Sequence, residues 1–289
     1  MQPRAYFDLL FREDIHAFII ALPIPLQPKY IKAALGVGKH VLSEKPVAPT
    51  LAEAEELIGF YEDNRRLGVN NATWGVAENF RFLSTFATGA EEVKKLGRVS
   101  GFNARVASNV AAGGKYFETS WRKTPKHQGG FLLDGGVHFV AGTRLLLGAE
   151  NKPKEVLAFS QQIQPHLPPV DTLTSLWRCA SGVAGSVYIS FGTTFSSSSY
   201  EIACEKGTVT VSRDLVVVKE EGKEERRIEC KDEGAGVHSE VAAWAEGLVR
   251  GESNAKQAPR EGLADLEVLE GMLRSGEGEG SKVVLTRQI

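Results

Sequence analysis

The stretch His40-Val41-Leu42-Ser43-Glu44-Lys45-Pro46 decides the fold. An apolar run there meets a carboxylate and an ammonium group, and then a residue with no backbone N–H to continue a sheet ladder. In an open parallel sheet, ligands bind beyond the carboxyl ends of the strands, so this order predicts that Glu44 and Lys45 project into such a crevice. The flanking residues repeat the pattern. Upstream, Asp14 to Pro23 is almost continuously apolar and stops at a proline, as a strand buried on both faces does. Pro28 then suits a first helical turn, Tyr30, Ile31, Ala34 and Leu35 recur at helical spacing, and Gly36 and Gly38 end the segment before Val41. That is one βαβ crossover, expected to be right-handed. Downstream, Thr50-Leu51-Ala52-Glu53 forms a capping box, and Leu51, Ala54, Leu57, Ile58 and Tyr61 line one face of a helix reaching about Leu67. Thr73 to Glu78 makes a third short strand, and Asn79-Phe80-Arg81-Phe82 carries the chain out of the sheet.

Three strands and two helices are half of a doubly wound nucleotide-binding domain. The first strand-turn-helix of such a domain carries a glycine-rich loop that holds a dinucleotide pyrophosphate on backbone N–H groups. No G-x-G-x-x-G follows a strand here; Gly36-Val37-Gly38 lies after a helix and reads as a helix stop. The expectation is an α/β chain whose residues 1–79 form a partial, N-terminally truncated Rossmann-type parallel sheet. From Phe82 the texture changes to alternating strands separated by glycine, serine and charged turns, which predicts an α+β domain over 80–289 with a large, mostly antiparallel sheet. Its strands are placed at Val99 to Val110, Glu155 to Gln164, Thr172 to Cys179, Val183 to Phe191, Tyr200 to Cys204, Gly207 to Val211 and Leu215 to Lys219. Helices at Ser84 to Leu96, Leu133 to Leu147, Val237 to Arg250 and Arg260 to Leu273 should cover one face, with Ser196 to Ser199 and Gly276 to Gly280 as mobile loops.

Composition narrows the function. A net charge of −2 leaves no basic excess for nucleic-acid phosphates or an anionic membrane, so neither partner is expected. No apolar run approaches the roughly 20 residues that span a bilayer, and no basic-then-apolar leader opens the chain, so the expected location is cytoplasmic. Cys179, Cys204 and Cys230 are too widely spaced for a disulfide framework and read as reduced thiols; no set of histidines, cysteines and acids shows metal-ligand spacing, so no metal is expected.

Asp134 and His138 stand four residues apart, so a helix over Leu133 to Leu147 puts both on one face near its start. The partial positive charge of a helix N-terminus disfavours a protonated imidazole and would leave His138 available as a base. Taken alone, His138 reads as a hydrogen-bonded structural histidine and Asp134 as a helix cap. The neighbouring motifs turn the reading toward chemistry. His127, in a glycine-flanked basic loop, is expected to border the same pocket, whereas His16, His40, His166 and His238 read as structural or exposed.

Several segments together resemble the glucose-fructose oxidoreductase and inositol dehydrogenase (Gfo/Idh/MocA) family. They are Ala21-Leu22-Pro23, Lys39-His40-Val41-Leu42-Ser43-Glu44-Lys45-Pro46, Asn79-Phe80-Arg81-Phe82, Ser120-Trp121-Arg122 and Gly129-Gly130-Phe131-Leu132-Leu133-Asp134-Gly135-Gly136-Val137-His138. The combination of G-K-H-V-L-x-E-K-P with a later D-x-G-x-H is specific, whereas either half alone is weak. The resemblance implies an NAD- or NADP-binding Rossmann domain and a C-terminal domain whose open sheet supports the substrate site and often an oligomer contact. It also implies oxidation or reduction of a sugar, polyol or cyclic diol, with His138 as acid/base, Asp134 contacting substrate and orienting that histidine, and Lys45 bonding the reacting oxygen. On the same ground Leu22, Pro23, Glu44, Lys45, Pro46, Trp121 and Arg122 are assigned to the cofactor, and Lys45, Arg81, Asp134 and His138 to substrate. Two departures stand out: the chain starts roughly where the family's fourth strand would, and Ala141 stands where many members carry an aspartate. The alternative expectation is a truncated, non-catalytic member acting as a binding, regulatory or oligomerisation module.

Overall fold

Parallel pairing organises the first part of the computed structural model, which describes residues 3–114, 117–125 and 130–289. Helix α1 (Pro3–Leu10) precedes β1 (Ala17–Ile20), α2 (Gln27–Gly36), β2 (His40–Glu44), α3 (Leu51–Arg66) and β3 (Trp74–Ala77). The strands run parallel in the order β1-β2-β3, with Ile20 beside Ser43 and Glu44 beside Ala77. Local sequence sets the boundaries. A proline sits in the first turn of α2, where its missing N–H costs nothing. The Thr50 hydroxyl oxygen accepts from the Glu53 backbone N–H at 3.3 Å and donates to the Glu53 carboxylate at 3.2 Å, capping α3 at the expected residue. His40 ties β2 to the start of β3: its Nδ1 accepts from the Thr73 N–H at 3.0 Å and lies 2.8 Å from the Thr73 hydroxyl.

One expectation changes here. β1 is shorter than Asp14 to Pro23 and is not buried on both faces, since Ile19 is 58% exposed. The reason is cover over the face, not edge position: β3, the opposite edge, is buried throughout with Gly75 against Trp244 and Gln257, whereas nothing comparable among the described residues lies over Ile19.

The chain continues through α4 (Ser84–Lys95), β4 (Val99–Asn109), α5 (Ser120–Lys123), α6 (Gly130–Leu147), β5 (Pro153–Gln161), β6 (Thr172–Cys179), β7 (Ala184–Ser190), β8 (Gly192–Cys204), β9 (Gly207–Ser212), β10 (Leu215–Glu220) and β11 (Arg226–Glu229). It ends with α7 (Val237–Arg250), α8 (Pro259–Glu277) and β12 (Val283–Val284). Nine strands form one sheet in the order β11-β10-β9-β8-β4-β7-β6-β5-β12. Among the described pairs, β4 and β7 alone run parallel. Period-two alternation divides its faces: in β6, Leu173, Ser175, Trp177 and Cys179 are buried while Thr174, Leu176 and Arg178 are exposed. Helices cover the buried side. A Cβ at Gly89 of α4 would stand 2.5 Å from a Val211 methyl on β9, so only glycine permits that approach.

Ser196 to Ser199, expected as a loop, are strand: Ser197, Ser198 and Ser199 of β8 pair with Ala107, Val106 and Arg105 of β4. A ladder needs backbone groups, not apolar side chains, and the Ser197 hydroxyl adds a bond to the Arg105 carbonyl at 3.1 Å.

The chain divides into two compact units, Met1–Glu78 with Glu240–Leu263, and Asn79–Ser239 with Ala264–Ile289. The single boundary at 79/80 did not carry the return of Glu240–Leu263 to the first unit. That return covers a face of the parallel sheet: a Cβ at Gly75 of β3 would meet both the Trp244 ring and the Gln257 Cβ at 3.4 Å. Arg260 pairs with Glu62 of α3, Nε to Oε1 at 2.6 Å. None of the described helices is long and apolar enough to cross a membrane.

Candidate functional site

In the first unit the sheet brings the two predicted ligand-facing segments to one end. Because β1 and β2 run parallel with Ile20 beside Ser43, Leu22-Pro23 and Glu44-Lys45-Pro46 leave neighbouring strands at the same carboxyl edge. Leu22, Pro23, Glu44 and Lys45 are half-buried there and Pro46 is buried. An apolar shelf beside a carboxylate and an ammonium group suits the ring and the hydroxyl-bearing ribose of a nicotinamide nucleotide. No G-x-G-x-x-G segment follows a strand among the described residues.

In the second unit α6 carries Asp134 and His138 one turn apart, on one helix face. The helix starts at Gly130 instead of Leu133, where Gly130, with φ +44, lies against Pro168 and Pro125. Asp134 therefore stands beyond the first turn and is not a cap, and His138 lies two turns in, where the field of the helix terminus has faded. What holds these residues is instead a set of side chains from other elements.

The buried Asp134 carboxylate accepts from Arg122 Nε at 2.7 Å. Arg122 comes from the short helix α5, where its Nη1 also donates to the Thr119 hydroxyl at 3.1 Å and its guanidinium lies 4.0 Å over the Trp121 ring. Of the pair predicted to lie near cofactor or substrate, Arg122 is bonded directly to Asp134 and Trp121 stacks on Arg122. His138 is half-buried, and its imidazole lies nearly parallel to the Phe80 ring, centroids 4.9 Å apart and planes at 17°. Phe80 also packs on Phe86 and Phe139, at 5.4 and 5.8 Å.

Arg81 occupies a different environment. It is buried in the 3-10 turn Asn79–Phe82 and its guanidinium pairs with Asp265 of α8, whose other carboxylate oxygen takes Arg144 Nη1 of α6 at 2.6 Å. Asp265 and Arg144 were not singled out by sequence reading, because nothing in their spacing links positions 81, 144 and 265. His127 and Gly129 lie outside the described residues. His166 Nε2 donates to the Val110 carbonyl at 2.8 Å, just past the end of β4, while His16 and His238 are exposed. Among the described residues no group of three or more His, Cys, Asp or Glu could hold a metal ion.

Comparison with known proteins bears on both units. Residues 5–70 match the oxidoreductase family's NAD-binding Rossmann fold, and residues 91–285 match its C-terminal alpha/beta domain. The chain is 36% identical to Dehydrogenase FPY6 of Fusarium mangiferae over 96% of its own length and 80% of that protein's. It is 26% identical to the dTDP-3,4-didehydro-2,6-dideoxy-alpha-D-glucose 3-reductase of Streptomyces violaceoruber, over 87% of this chain and 72% of that one. An oxidoreductase from Thermotoga maritima superposes with a TM-score of 0.85 at 30% identity, over 96% of this chain and 81% of that one. The chain belongs to the Gfo/Idh/MocA oxidoreductase family.

Proposed function

We propose that the protein transfers a hydride between NAD or NADP and a sugar, polyol or cyclic diol. The observation that carries this reading is the Asp134–His138 pair on one face of α6, with the carboxylate held by Arg122 and the imidazole half-buried. A bound nicotinamide supplies the hydride acceptor in the oxidative direction and the donor in the reverse. The chain supplies the rest. His138 takes the hydroxyl proton as the carbinol carbon loses hydride, and returns it in reduction. Asp134 accepts hydrogen bonds from the substrate and orients the histidine. Lys45 stabilises developing alkoxide charge on the reacting oxygen. Leu22, Pro23, Glu44 and Pro46 form the shelf for ring and ribose. The sugar-like class of substrate follows the relative from Streptomyces, whose substrate is a nucleotide-linked deoxysugar.

Titration calorimetry of the chain with NADH and NADPH, followed by a screen of sugars and polyols, tests the reading. Binding of one cofactor and turnover of at least one alcohol are expected, with a loss of about 100-fold or more in His138→Ala. A folded chain that binds neither cofactor refutes it.

The outer face of the large sheet also carries the exposed apolar side chains Leu157, Phe159, Leu176 and Phe195. We propose that a second copy of the chain covers it.

A further inference from the structure

The turn Asn79–Phe82 lays the Phe80 ring against His138 and is tied down on either side of that ring. Its two flanking polar residues are both used up as anchors: Asn79 Nδ2 donates to the Ala235 carbonyl at 2.8 Å, and Arg81 is buried against Asp265. Asp265 in turn grips Arg144, which lies on the same helix as His138. The turn and α6 are therefore fixed to a common carboxylate. Between the anchors stands Phe80, whose ring face meets the imidazole at 4.9 Å in a nearly parallel stack and whose own position is set by Phe86 and Phe139.

A histidine on a helix has one staggered torsion and a second, broad one about Cβ–Cγ, so a backbone position alone does not fix the plane of its ring. An aromatic face lying against the imidazole does. We propose that Phe80 is a positioning residue that sets the ring plane of His138, with Arg81 anchoring the turn through Asp265 in place of a contact with substrate. This rests on the acid/base reading of His138 for its kinetic consequence, but not for its structural one.

The test uses the full chain. In spectra of histidine-labelled protein, the His138 ring protons, assigned by their loss in His138→Gln, are expected to show the upfield displacement of a stacked ring. Phe80→Leu should abolish that displacement, and Phe80→Tyr should keep it. In turnover assays Phe80→Leu should lower kcat by about 10- to 100-fold with KM held within about twofold, and Phe80→Tyr should restore kcat, as expected when a catalytic group loses its orientation but substrate still binds. Should Phe80→Leu fail to fold, Phe80→Met, which fills similar volume without a π face, takes its place. Ring signals that do not move, or a folded Phe80→Leu with wild-type kcat beside an inactive His138→Ala, overturn the proposal. Wild-type turnover in His138→Ala would instead sink the acid/base reading, and the spectra would still decide the stack.

Discussion

Replacing Asp265 with asparagine removes a buried carboxylate shared by two buried guanidiniums. The carboxylate is 1% exposed and lies between Arg81 and Arg144, whose side chains are 5% and 7% exposed. Asparagine keeps the shape but removes the charge and turns one acceptor into a donor, which then faces a guanidinium N–H. Two cations are left buried with no counter-charge from that position. Breaking a buried pair by removing one partner costs about 3–5 kcal/mol, because the remaining charge stays desolvated. Against a total stability of roughly 5–15 kcal/mol, that is a large share. At about 2–4 °C per kcal/mol for a chain of this order of size, the melting temperature should fall on the order of 10 °C. Thermal melts of wild type and Asp265→Asn at matched concentration read it directly. The triple variant Arg81→Met, Asp265→Leu, Arg144→Leu, which removes all three charges of the cluster together, should recover part of the loss. A fall of about 1 °C or less in the single variant would refute the argument, since taking the shared carboxylate from two buried guanidiniums cannot be that cheap.

Three other outcomes follow from the structure. Burial, with lesser contributions from His16 and Arg65, holds the His40 imidazole below its ordinary protonation range, and its Nδ1 must stay unprotonated to accept from Thr73. The unfolded chain then binds this proton more readily than the folded one, so stability is full above the ordinary histidine range and is lost as pH falls through the folded value. Urea midpoints should drop on acidification in wild type and drop less in His40→Gln; equal slopes would contradict this. The buried, unpaired Cys179, Cys204 and Cys230, with the Cys179 thiol pushed up to about 11 by burial, should resist a thiol reagent until denaturant is added; prompt labelling of the native protein would show the burial to be wrong. Light scattering of the chain should report twice its 31.4 kDa mass, and Leu176→Lys with Phe159→Lys, both on exposed positions, should halve it; a monomeric wild type would remove the case for a second copy on that face.

The sequence was most legible where local chemistry is sufficient. An apolar run ending in Glu44-Lys45-Pro46 announces a strand end, and Thr50 with Glu53 announces a helix start, because each signal lies within one turn or one strand. β8 was misread over Ser196–Ser199 because a ladder is made by backbone groups and four serines carry no apolar rhythm to report it. The start of α6 was placed late because glycines argue against helix, and Gly130 is there for its positive φ and its contact with Pro168. The candidate site was half visible. Asp134 and His138 are linked by a spacing of four, which a sequence displays, whereas Arg122 on Asp134, Phe80 on His138 and Arg81 on Asp265 join residues 12 to 184 apart. Such pairings are made by tertiary folding and leave no periodic trace.

The return of Glu240–Leu263 to the first unit has a consequence for synthesis. A ribosome releases the three parallel strands by residue 77, yet the face at Gly75 is not closed until Trp244 and Gln257 have emerged, and the unit is not complete until Leu263. At about 5–20 residues per second, the 185 residues between Glu78 and Leu263 (263 − 78) take roughly 10–40 s to make. During that interval the nascent chain carries an uncovered apolar sheet face while the second unit is still being added behind it. The same interleaving means that no single contiguous gene segment encodes either unit, so a cut at the boundary near residue 78 would release a sheet without its cover.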